Sequence, residues 1–455
     1  MAQIGRNVDD HFSKTPTPHF PRSRFDQGIH KRLQTQGHGR LYPFFARVVY
    51  PGDTWQMDLS TFVRMDTSYR VPLDDVYLDT YFFFVPFRIL DANFPKILGE
   101  GEPEDYDDVS YGFPYIEVDD GADFSIDNLL GYLGYSTHSV YYDGTNNTFR
   151  VSITGGDKIT PYALAALYKI YNDWFRDENV DSSFPITDLY NTKVYQLSSI
   201  WQESNENNVD TFLDAPKVNR FHDYFSSAVL APQKGPAVTI PLGTSAPVGV
   251  IPSANGTTSG YNYVGIGSGQ AFSKGIFESV TISSLGETGI AGQKVFADLS
   301  AAAGTINELR LAFAIQSLYE RRGRFGTRFI ETIRGQWGIE VPDSFFLRPE
   351  YLGGSRVTLN NVPVLSTENS SQLGQMAGNS STLANGGSFS KTFVEYGIIL
   401  GVSCTRIKHS YTQGKRKELF GLKTQLDLYN PVFANIGFQP IKITEIYNDP
   451  DNDFQ

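Results

Sequence analysis

The sequence contains a single cysteine, Cys404, among its 455 residues. One thiol excludes an intrachain disulfide framework and a metal cluster held by several thiolates of one chain. A reducing compartment fits this composition. Because Cys404 follows the apolar run GIILGVS, we predict a buried structural cysteine in a strand rather than a nucleophile.

Long apolar runs are also missing. No stretch approaches the roughly 18 consecutive apolar residues that indicate a membrane-spanning helix. Met1 is followed by Ala-Gln-Ile-Gly-Arg-Asn instead of the apolar core of a signal peptide. We therefore expect neither membrane insertion nor secretion by the usual route.

The sequence lacks the motifs of the common enzyme classes. The nearest approach to a phosphate-binding loop, residues 286–294, has Gln293 before the lysine, and Gly265, Gly267 and Gly269 do not have dinucleotide-binding spacing. The seven histidines form no H-E-x-x-H and no i, i+4 pair. A G-x-S-x-G elbow is absent. These absences predict no catalytic, cofactor or metal site.

Aromatic residues, glycine and proline are abundant. Aromatics make up 14% of the chain, beside 42 glycines and 24 prolines, a composition that favours many short strands joined by turns. The continuous run Tyr81–Val85 indicates a strand buried on both faces. Strands are predicted at Phe44–Tyr50, Thr54–Leu59, Val76–Pro86, Phe149–Ile153, Ala237–Leu242, Gly275–Ile282, Arg356–Val364 and Phe393–Val402.

Three helices are predicted within this β-rich chain. The first covers Thr160–Asn179, with Thr160 as N-cap and Pro161 in the first turn. The second runs from about Thr305 to Arg322 and ends at Gly323, and a short third follows over Thr327–Arg334. Helices placed in the connections between strands indicate antiparallel β-structure with long loops, not alternating βα units.

The net charge of −12 is unevenly distributed. Residues 1–48 carry eight basic and three acidic side chains, which predicts an extended arm that contacts a partner chain or a polyanion, or else an ordinary solvated terminus. Residues 91–127 carry twelve acidic side chains and Lys96, and are interpreted as a surface loop. Residues 243–302 are rich in small residues and predict an exposed loop region.

Two clusters of basic residues lie in the C-terminal half. The first interleaves arginines with aromatic rings, a pattern suited to phosphate pairing and base stacking, although a solvated or inter-subunit ion-pair surface fits equally well. Its members are Arg321, Arg322, Arg324, Phe325, Arg328, Phe329 and Arg334. The second comprises Arg406, Lys408, His409, Lys415, Arg416 and Lys417.

A series of strings along nearly the whole chain resembles the major capsid proteins of the Microviridae, in particular the gokushovirus-like phages with single-stranded DNA. They are PRSRF at 21–25, YPGDT at 50–54, FVRMDT at 62–67, YFFFVP at 81–86, IYNDWFRDEN at 170–179, HDYF at 222–225, PQKG at 232–235, INELR at 306–310, GTR at 326–328, RPEYLGG at 348–354 and EYGII at 395–399. Their order is also the order found in the family.

The resemblance implies an all-β viral jelly roll, an eight-stranded antiparallel barrel with long insertions and a few helices. By family position, residues 1–48 are an inward-facing or inter-subunit arm, residues 49–242 and 303–455 form the two parts of the jelly roll, and residues 243–302 are a variable surface insertion. Compared with the family, the chain is expected to be shorter at its C-terminus and more acidic over residues 91–127.

The function implied is structural. Many copies would assemble into a T=1 icosahedral shell around circular single-stranded DNA, in the host bacterial cytoplasm, with minor virion and scaffolding proteins as further partners and a host receptor facing the insertion. The candidate residues for non-specific DNA contact are Arg22, Arg24, Lys31, Arg32, Arg40, Arg321, Arg322, Arg324 and Arg328. The alternative is a β-sandwich that binds or processes carbohydrate with loop aromatics and a carboxylate pair.

Overall fold

The structure, a computed structural model, describes residues 21, 23–66, 73–100, 112–117, 123–125, 129–135, 139–143, 148–152, 158–186, 194–196, 215–239, 248–251, 294–297, 305–360, 365–367, 380–433 and 439–447. Its strands are β1 Leu41–Val49, β2 Thr54–Met57, β3 Ser60–Arg64, β4 Val76–Pro86, β5 Tyr115–Glu117, β6 Asp123–Ser125, β7 Ser139–Asp143, β8 Thr148–Ser152, β9 Lys158–Ile159, β10 Val194–Gln196, β11 Val248–Ile251, β12 Lys294–Ala297, β13 Glu350–Thr358, β14 Ser381–Asn385, β15 Phe389–Thr392 and β16 Gly397–Ile407.

The α-helices are α1 Phe87–Leu90, α2 Phe94–Ile97, α3 Leu129–Leu133, α4 Tyr162–Ile170, α5 Ile306–Phe325, α6 Phe329–Trp337 and α7 Lys417–Phe420. A π-helical turn, Tyr171–Phe175, continues α4. Turns of 3-10 helix occur at Asp343–Phe346, Gln425–Asp427, Pro431–Phe433 and Ile443–Glu445.

A four-stranded antiparallel sheet forms the centre of the fold. Its order is β1-β16-β4-β13, so that strands from both ends of the sequence lie side by side. β4 and β16 pair over eleven residues each, from Gly397 opposite Pro86 to Ile407 opposite Val76. This sheet holds the N-terminal and C-terminal parts of the chain together.

Both faces of the central sheet are covered, as the apolar run Tyr81–Val85 predicts. Phe83, Val85 and Leu400 belong to a core that includes α3 and α4. The alternate residues Phe82 and Phe84 point to the other face, where they pack against Phe389 and Phe393. Alternation along a β-strand therefore divides one continuous apolar sequence between two cores.

Two glycines allow close approach between strands of this sheet. A Cβ on Gly354 would lie 2.3 Å from the backbone oxygen of Thr80, near the bulge of β13. A Cβ on Gly401 would lie 2.8 Å from the ring of Phe44, the extra residue at the bulge of β1. Larger side chains at either position would push the neighbouring strand away.

Smaller sheets lie around the centre. β2 pairs with β15 and β3 with β14, both antiparallel. β7, β8 and β6 form one three-stranded antiparallel sheet, while the other, β10-β5-β9, contains one parallel pair. β11 and β12 pair antiparallel, with Ile251 opposite Lys294. These two strands directly precede and follow residues 252–293 in the sequence.

The helices follow the sequence with small shifts. The prediction over residues 160–179 corresponds to α4 and its π-helical turn, but the N-cap is Pro161, not Thr160. α5 starts as predicted after Thr305, whose hydroxyl accepts from the amide of Glu308 at 3.2 Å in a capping box. The third prediction, Thr327–Arg334, corresponds to α6.

The predicted stop of α5 at Gly323 is wrong, because the helix continues to Phe325 and ends at Gly326, where φ is 89°. Gly323 lies on the face covered by residues 229–234, where a Cβ would be 3.6 Å from Val229. The glycine serves close packing at that position and not helix termination.

The prediction of mainly antiparallel β-structure with few helices is confirmed. The strands of the described ranges form an open central sheet with small satellites and close no barrel. The strand predicted over 356–364 begins earlier, at Glu350. The strand predicted over 393–402 begins later, at Gly397, because the chain turns at residues 393–396. Residues 237–239 are not in a strand, and the strand predicted over 275–282 lies outside the described residues.

Candidate interaction surfaces

Residues 23–40 of the predicted arm cross the body of the chain without regular secondary structure, whereas residues 41–48, also assigned to the arm from the sequence, belong to β1 of the central sheet. Gln36 donates to the hydroxyl of Thr405 at 2.6 Å and accepts from the hydroxyl of Ser403 at 2.8 Å. Arg32 donates to the backbone oxygens of Gly131 and Tyr132 at 2.6 and 3.1 Å. The arm is thus attached to β16 and α3 of its own chain.

The predicted DNA-contacting residues of the arm are in different situations. Arg24 and Lys31 are exposed, whereas Arg22 lies outside the described residues. Arg40 is half-buried and donates to the backbone oxygen of Ala215 at 2.8 Å. Arg32 and Arg40 thus hold the arm in place through hydrogen bonds to backbone oxygens of the same chain. At least two of the five arm residues predicted to contact DNA therefore have an intrachain role.

The arginines of the basic cluster at residues 321–334 also differ from one another in exposure and in contacts. Arg321 is exposed, and the guanidinium of Arg322 lies 5.6 Å from the ring centre of Tyr319. Arg324 is exposed, and Arg334 forms an exposed ion pair with Glu340 at 2.9 Å. The cluster therefore does not present all its guanidinium groups on one surface.

Arg328 attaches the helical hairpin formed by α5 and α6 to the π-helical turn after α4. We call this contact region the junction. The guanidinium of Arg328 donates to the backbone oxygens of Asn172 and Arg176, both at 2.9 Å, and to the carboxylate of Glu331 at 3.2 Å. Its side chain is 24% exposed. These donors are directed at groups of the same chain, an attachment role that is neither of the two roles considered for this cluster from the sequence.

Glu178 forms the other half of this junction. Its carboxylate accepts from the ammonium of Lys234 at 2.8 Å and from the amide and hydroxyl of Thr327 at 2.8 and 3.0 Å. Burial raises the pKa of Glu178, but the hydrogen bonds from Lys234 and Thr327 outweigh it and hold the pKa below its usual value. The carboxylate thus links the turn between α5 and α6 to residues 232–235.

Arg348 closes the junction from the side of β13. Its guanidinium stacks 3.7 Å from the ring centre of Trp174 and donates to the backbone oxygen of Asp173 at 2.9 Å. Burial lowers the pKa of Arg348. Four of the strings that carry the family resemblance, at 170–179, 232–235, 326–328 and 348–354, thus meet at one place, and their polar residues serve attachment.

A second polar cluster lies around a buried aspartate at one end of the central sheet, with Arg406 largely covered and Arg356 about half exposed. Asp79 on β4 is fully buried and accepts from Arg356 on β13 at 2.6 and 3.2 Å. Arg406 on β16 donates to the same carboxylate at 2.8 Å through Nε and again through Nη2. One carboxylate therefore joins three adjacent strands.

Aromatic groups complete the Asp79 cluster. The ring of Phe221 lies 4.6 Å from the guanidinium of Arg356 and 4.3 Å from that of Arg406. The hydroxyl of Tyr81 accepts from Arg406 at 2.7 Å. Hydrogen bonding to Asp79 raises the pKa of Arg356 further. Sequence reasoning missed this site, although an aspartate inside the apolar strand VYLDTYFFFVP was a signal that a partner was needed.

Asp223 organises the loop that carries Phe221. Its carboxylate accepts from the amides of Phe225 and Ser226 at 2.9 and 2.7 Å and from the hydroxyl of Tyr411 at 2.7 Å. Burial raises the pKa of Asp223, but these hydrogen bonds bring it down to about 2. The loop therefore rests on a carboxylate that stays ionised at neutral pH.

The predicted acidic loop is described in part. Asp91 is buried and accepts from the hydroxyl of Tyr162 at 3.0 Å and from the amide of Asn93 at 2.8 Å. Residues 101–111, 118–122 and 126–128 of this stretch lie outside the described residues.

The described residues contain no group of three or more histidine, cysteine or acidic side chains placed to bind a metal ion. Cys404 is buried as predicted, and burial raises the pKa of its thiol to about 12. In the same described ranges, no helix is both long and apolar enough to cross a membrane.

Large apolar side chains are exposed over much of the C-terminal half. None of the residues of α5, α6 or α7 is buried. Trp337 is 74% exposed, Leu419 74% and Tyr429 81%. Extended apolar surfaces of this kind are typical of chains that bury them against other chains.

Comparison with known proteins gives a consistent result. A family model described as capsid protein (F protein) matches residues 13–455. Capsid protein VP1 of Bdellovibrio phage phiMH2K is 34% identical over 462 residues, covering 98% of this chain and 80% of that protein. VP1 of Spiroplasma virus 4 is 32% identical over 480 residues, covering 100% and 82%, and VP1 of Chlamydia phage 1 is 28% identical over 497 residues, covering 97% and 80%.

Proposed function

Because the chain belongs to the capsid protein (F protein) family of phages, it is a structural capsid protein of the Microviridae type and not an enzyme, and we propose that its copies close a T=1 icosahedral shell around circular single-stranded DNA. Self-assembly and a place in the virion follow from the family. Minor virion proteins, scaffolding proteins and assembly in the bacterial cytoplasm belong to the proposal.

The observation that carries this proposal is the match to the capsid protein (F protein) family over residues 13–455, nearly the whole chain. The antiparallel sheet β1-β16-β4-β13 supports the further proposal that the fold is a jelly roll, of which this sheet is one part. The carbohydrate-processing alternative has no support among the relatives.

Assembly can be tested directly. The full chain, expressed with and without its phage's other virion proteins, is examined by size-exclusion chromatography and electron microscopy. We expect uniform closed particles of the smallest icosahedral size. A chain that remains monomeric in both conditions contradicts the proposal.

We propose that the arm faces the genome. Exposed Arg24 and Lys31, with Arg22, are the arm residues best suited to bind phosphates, because Arg32 and Arg40 donate to the chain's own backbone. Arginine and lysine bind single-stranded DNA without regard to sequence, and the binding weakens as salt releases counterions.

Replacing Arg22, Arg24 and Lys31 together by alanine is expected to lower the DNA content of particles while leaving subunit stability unchanged. The slope of log affinity against log salt should fall by about 2 for three lost phosphate contacts. The ratio of absorbance at 260 and 280 nm and binding of a labelled oligonucleotide measure both effects. Arg47→Ala, an exposed arginine on β1, is the control. Equal DNA content in the triple variant and the control contradicts this role.

We propose that the insertion predicted at residues 243–302 lies on the outer surface and that its central part, residues 252–293, serves host attachment. They follow β11 and precede β12, and the pairing of these two strands supports an insertion that leaves and re-enters the subunit at one place. A loop region rich in glycine and serine suits a variable binding surface.

Brief treatment of intact particles with chymotrypsin is expected to cut first between residues 252 and 293, which include Tyr261 and Phe272. The arm should be cut only after the particles are dissociated. Mass spectrometry of the fragments identifies the sites, and dissociated subunits are the control. Early cleavage of intact particles within residues 1–36 would reverse the proposed orientation.

A further inference from the structure

α5 is attached to the body along one face. Tyr319 and Gly323 lie on this face: the backbone oxygen of Tyr319 accepts from the amide of Lys234 at 3.1 Å, and Gly323 lies against Val229. At 3.6 residues per turn, Ala312 and Gln316 fall on the same face. These residues are half-buried, and none of the twenty residues of the helix is fully buried.

The opposite face carries an apolar stripe. Leu311, Ala314, Leu318 and Phe325 follow one another at spacings of three, four and seven, so they lie on one side of the helix. Leu311 is 60% exposed and Phe325 52%. The chain covers part of this stripe, since Phe325 lies against Gly335 of α6, but more than half of the Leu311 and Phe325 side chains stays in water and contributes no folding energy within one chain.

A groove lies between this stripe and α6. It has a volume of about 390 Å³ and is lined by Ala314, Ser317, Leu318, Arg321, Gln336 and Trp337. The small side chains of Ala314 and Ser317 on α5 leave room for the groove, and Trp337 on α6 forms one of its walls. We call this surface the outer groove.

We propose that the outer groove receives a second copy of this chain in the assembled shell. The inference rests on self-assembly and adds the surface through which it occurs. A stable interface buries about 800 Å² per partner, and its core is enriched in tryptophan, phenylalanine and arginine. The groove and its margins have this composition.

The exposed aromatic side chains of the α5–α6 hairpin supply about half of the area that such an interface buries. Phe313, Phe325 and Trp337 are 65%, 52% and 74% exposed. At roughly 150–250 Å² for each aromatic side chain, they expose on the order of 400 Å². Ile306 and Ile339, 69% and 54% exposed at the two ends of the hairpin, extend the apolar surface.

The chemistry of the groove favours a protein over a nucleic acid. Arg321 is the charged side chain among the six that line it. A channel for single-stranded DNA needs several cations that follow the phosphate backbone. One arginine at the margin of an apolar groove is instead typical of a protein–protein hot spot.

The occupant can be identified by photo-crosslinking. Trp337 is replaced by p-benzoylphenylalanine in the full chain, and particles are assembled from a mixture of ¹⁴N- and ¹⁵N-labelled subunits. We expect crosslinked peptides that join a light and a heavy copy of this chain in particles and not in dissociated subunits. Crosslinks to DNA, to another virion protein, or within a single copy would each overturn the proposal, as would the absence of crosslinks.

A second experiment measures the contribution of the groove. Trp337→Glu places a charge at the interface, and assembly should fall by about tenfold or more, as expected when an aromatic hot spot is lost. Trp337→Phe, the matched control, should assemble. The thermal unfolding of both dissociated variants should equal that of the unmodified chain, because Trp337 is exposed.

The outcomes of this second experiment separate the two proposals. Normal assembly of the Trp337→Glu chain would overturn the role of the outer groove and leave the capsid function intact. Failure of the unmodified chain to assemble would overturn both.

Discussion

Replacing Asp79 by alanine is expected to lower the free energy of unfolding of the subunit by about 3–5 kcal/mol, the usual cost of breaking a buried ion pair by removing one partner. The carboxylate is fully buried, and it accepts hydrogen bonds from both Arg356 and Arg406. Without it, two guanidinium groups face each other across β4 with no negative charge between them. The three strands that meet there would lose their common contact.

Denaturant unfolding of dissociated subunits measures this effect. The control is Asp58→Ala, because Asp58 is exposed and its replacement should change stability by less than about 0.5 kcal/mol. A triple variant, Asp79→Leu with Arg356→Met and Arg406→Met, should recover much of the loss, since apolar groups can replace a buried ion cluster. If Asp79→Ala unfolds at the same denaturant concentration as the control, the cluster does not stabilise the sheet.

Phe83→Ala is expected to cost about 3–5 kcal/mol, the range found for removal of a buried aromatic side chain. Phe83 is 1% exposed. Its ring centre lies 5.3 Å from that of Trp174 and 5.7 Å from that of Tyr351, so it packs β4 against the π-helical turn and against the neighbouring strand β13. The cavity left by the ring would lie at the centre of the larger core.

The same unfolding measurement applies, with Phe62→Ala as the control. Phe62 is also a phenylalanine in a strand, but it is 65% exposed. Its replacement should change subunit stability little. A loss for Phe83→Ala no greater than for Phe62→Ala would show that the interior closes around the deleted ring, or that the residue packs less tightly than its neighbours indicate.

Local signals in the sequence predicted several elements closely. β4 has the bounds that its β-branched and aromatic content indicated, and Thr305 caps α5. These features depend on residues close together in the chain. The strings of the family resemblance identified the function because many of them occur in order.

Features that depend on distant residues were not visible. Asp79 meets Arg356 and Arg406 at separations of 277 and 327 residues, and no local pattern joins them. Gly323 has the local signature of a helix end, but packing against Val229 explains it. Composition grouped Arg321, Arg322, Arg324 and Arg328 as one basic cluster, whereas the fold directs Arg328 to its own chain.

The pairing of β11 with β12 has a consequence for how this protein can change. Since Ile251 and Lys294 lie opposite each other, the two ends of the segment between them are held side by side. The entropy of closing a flexible loop grows with the logarithm of its length, about 0.6 kcal/mol for each doubling. If the segment is the loop that its composition predicts, insertions and deletions between these strands are expected to cost little stability, and the segment can diverge in length and sequence while the central sheet stays the same.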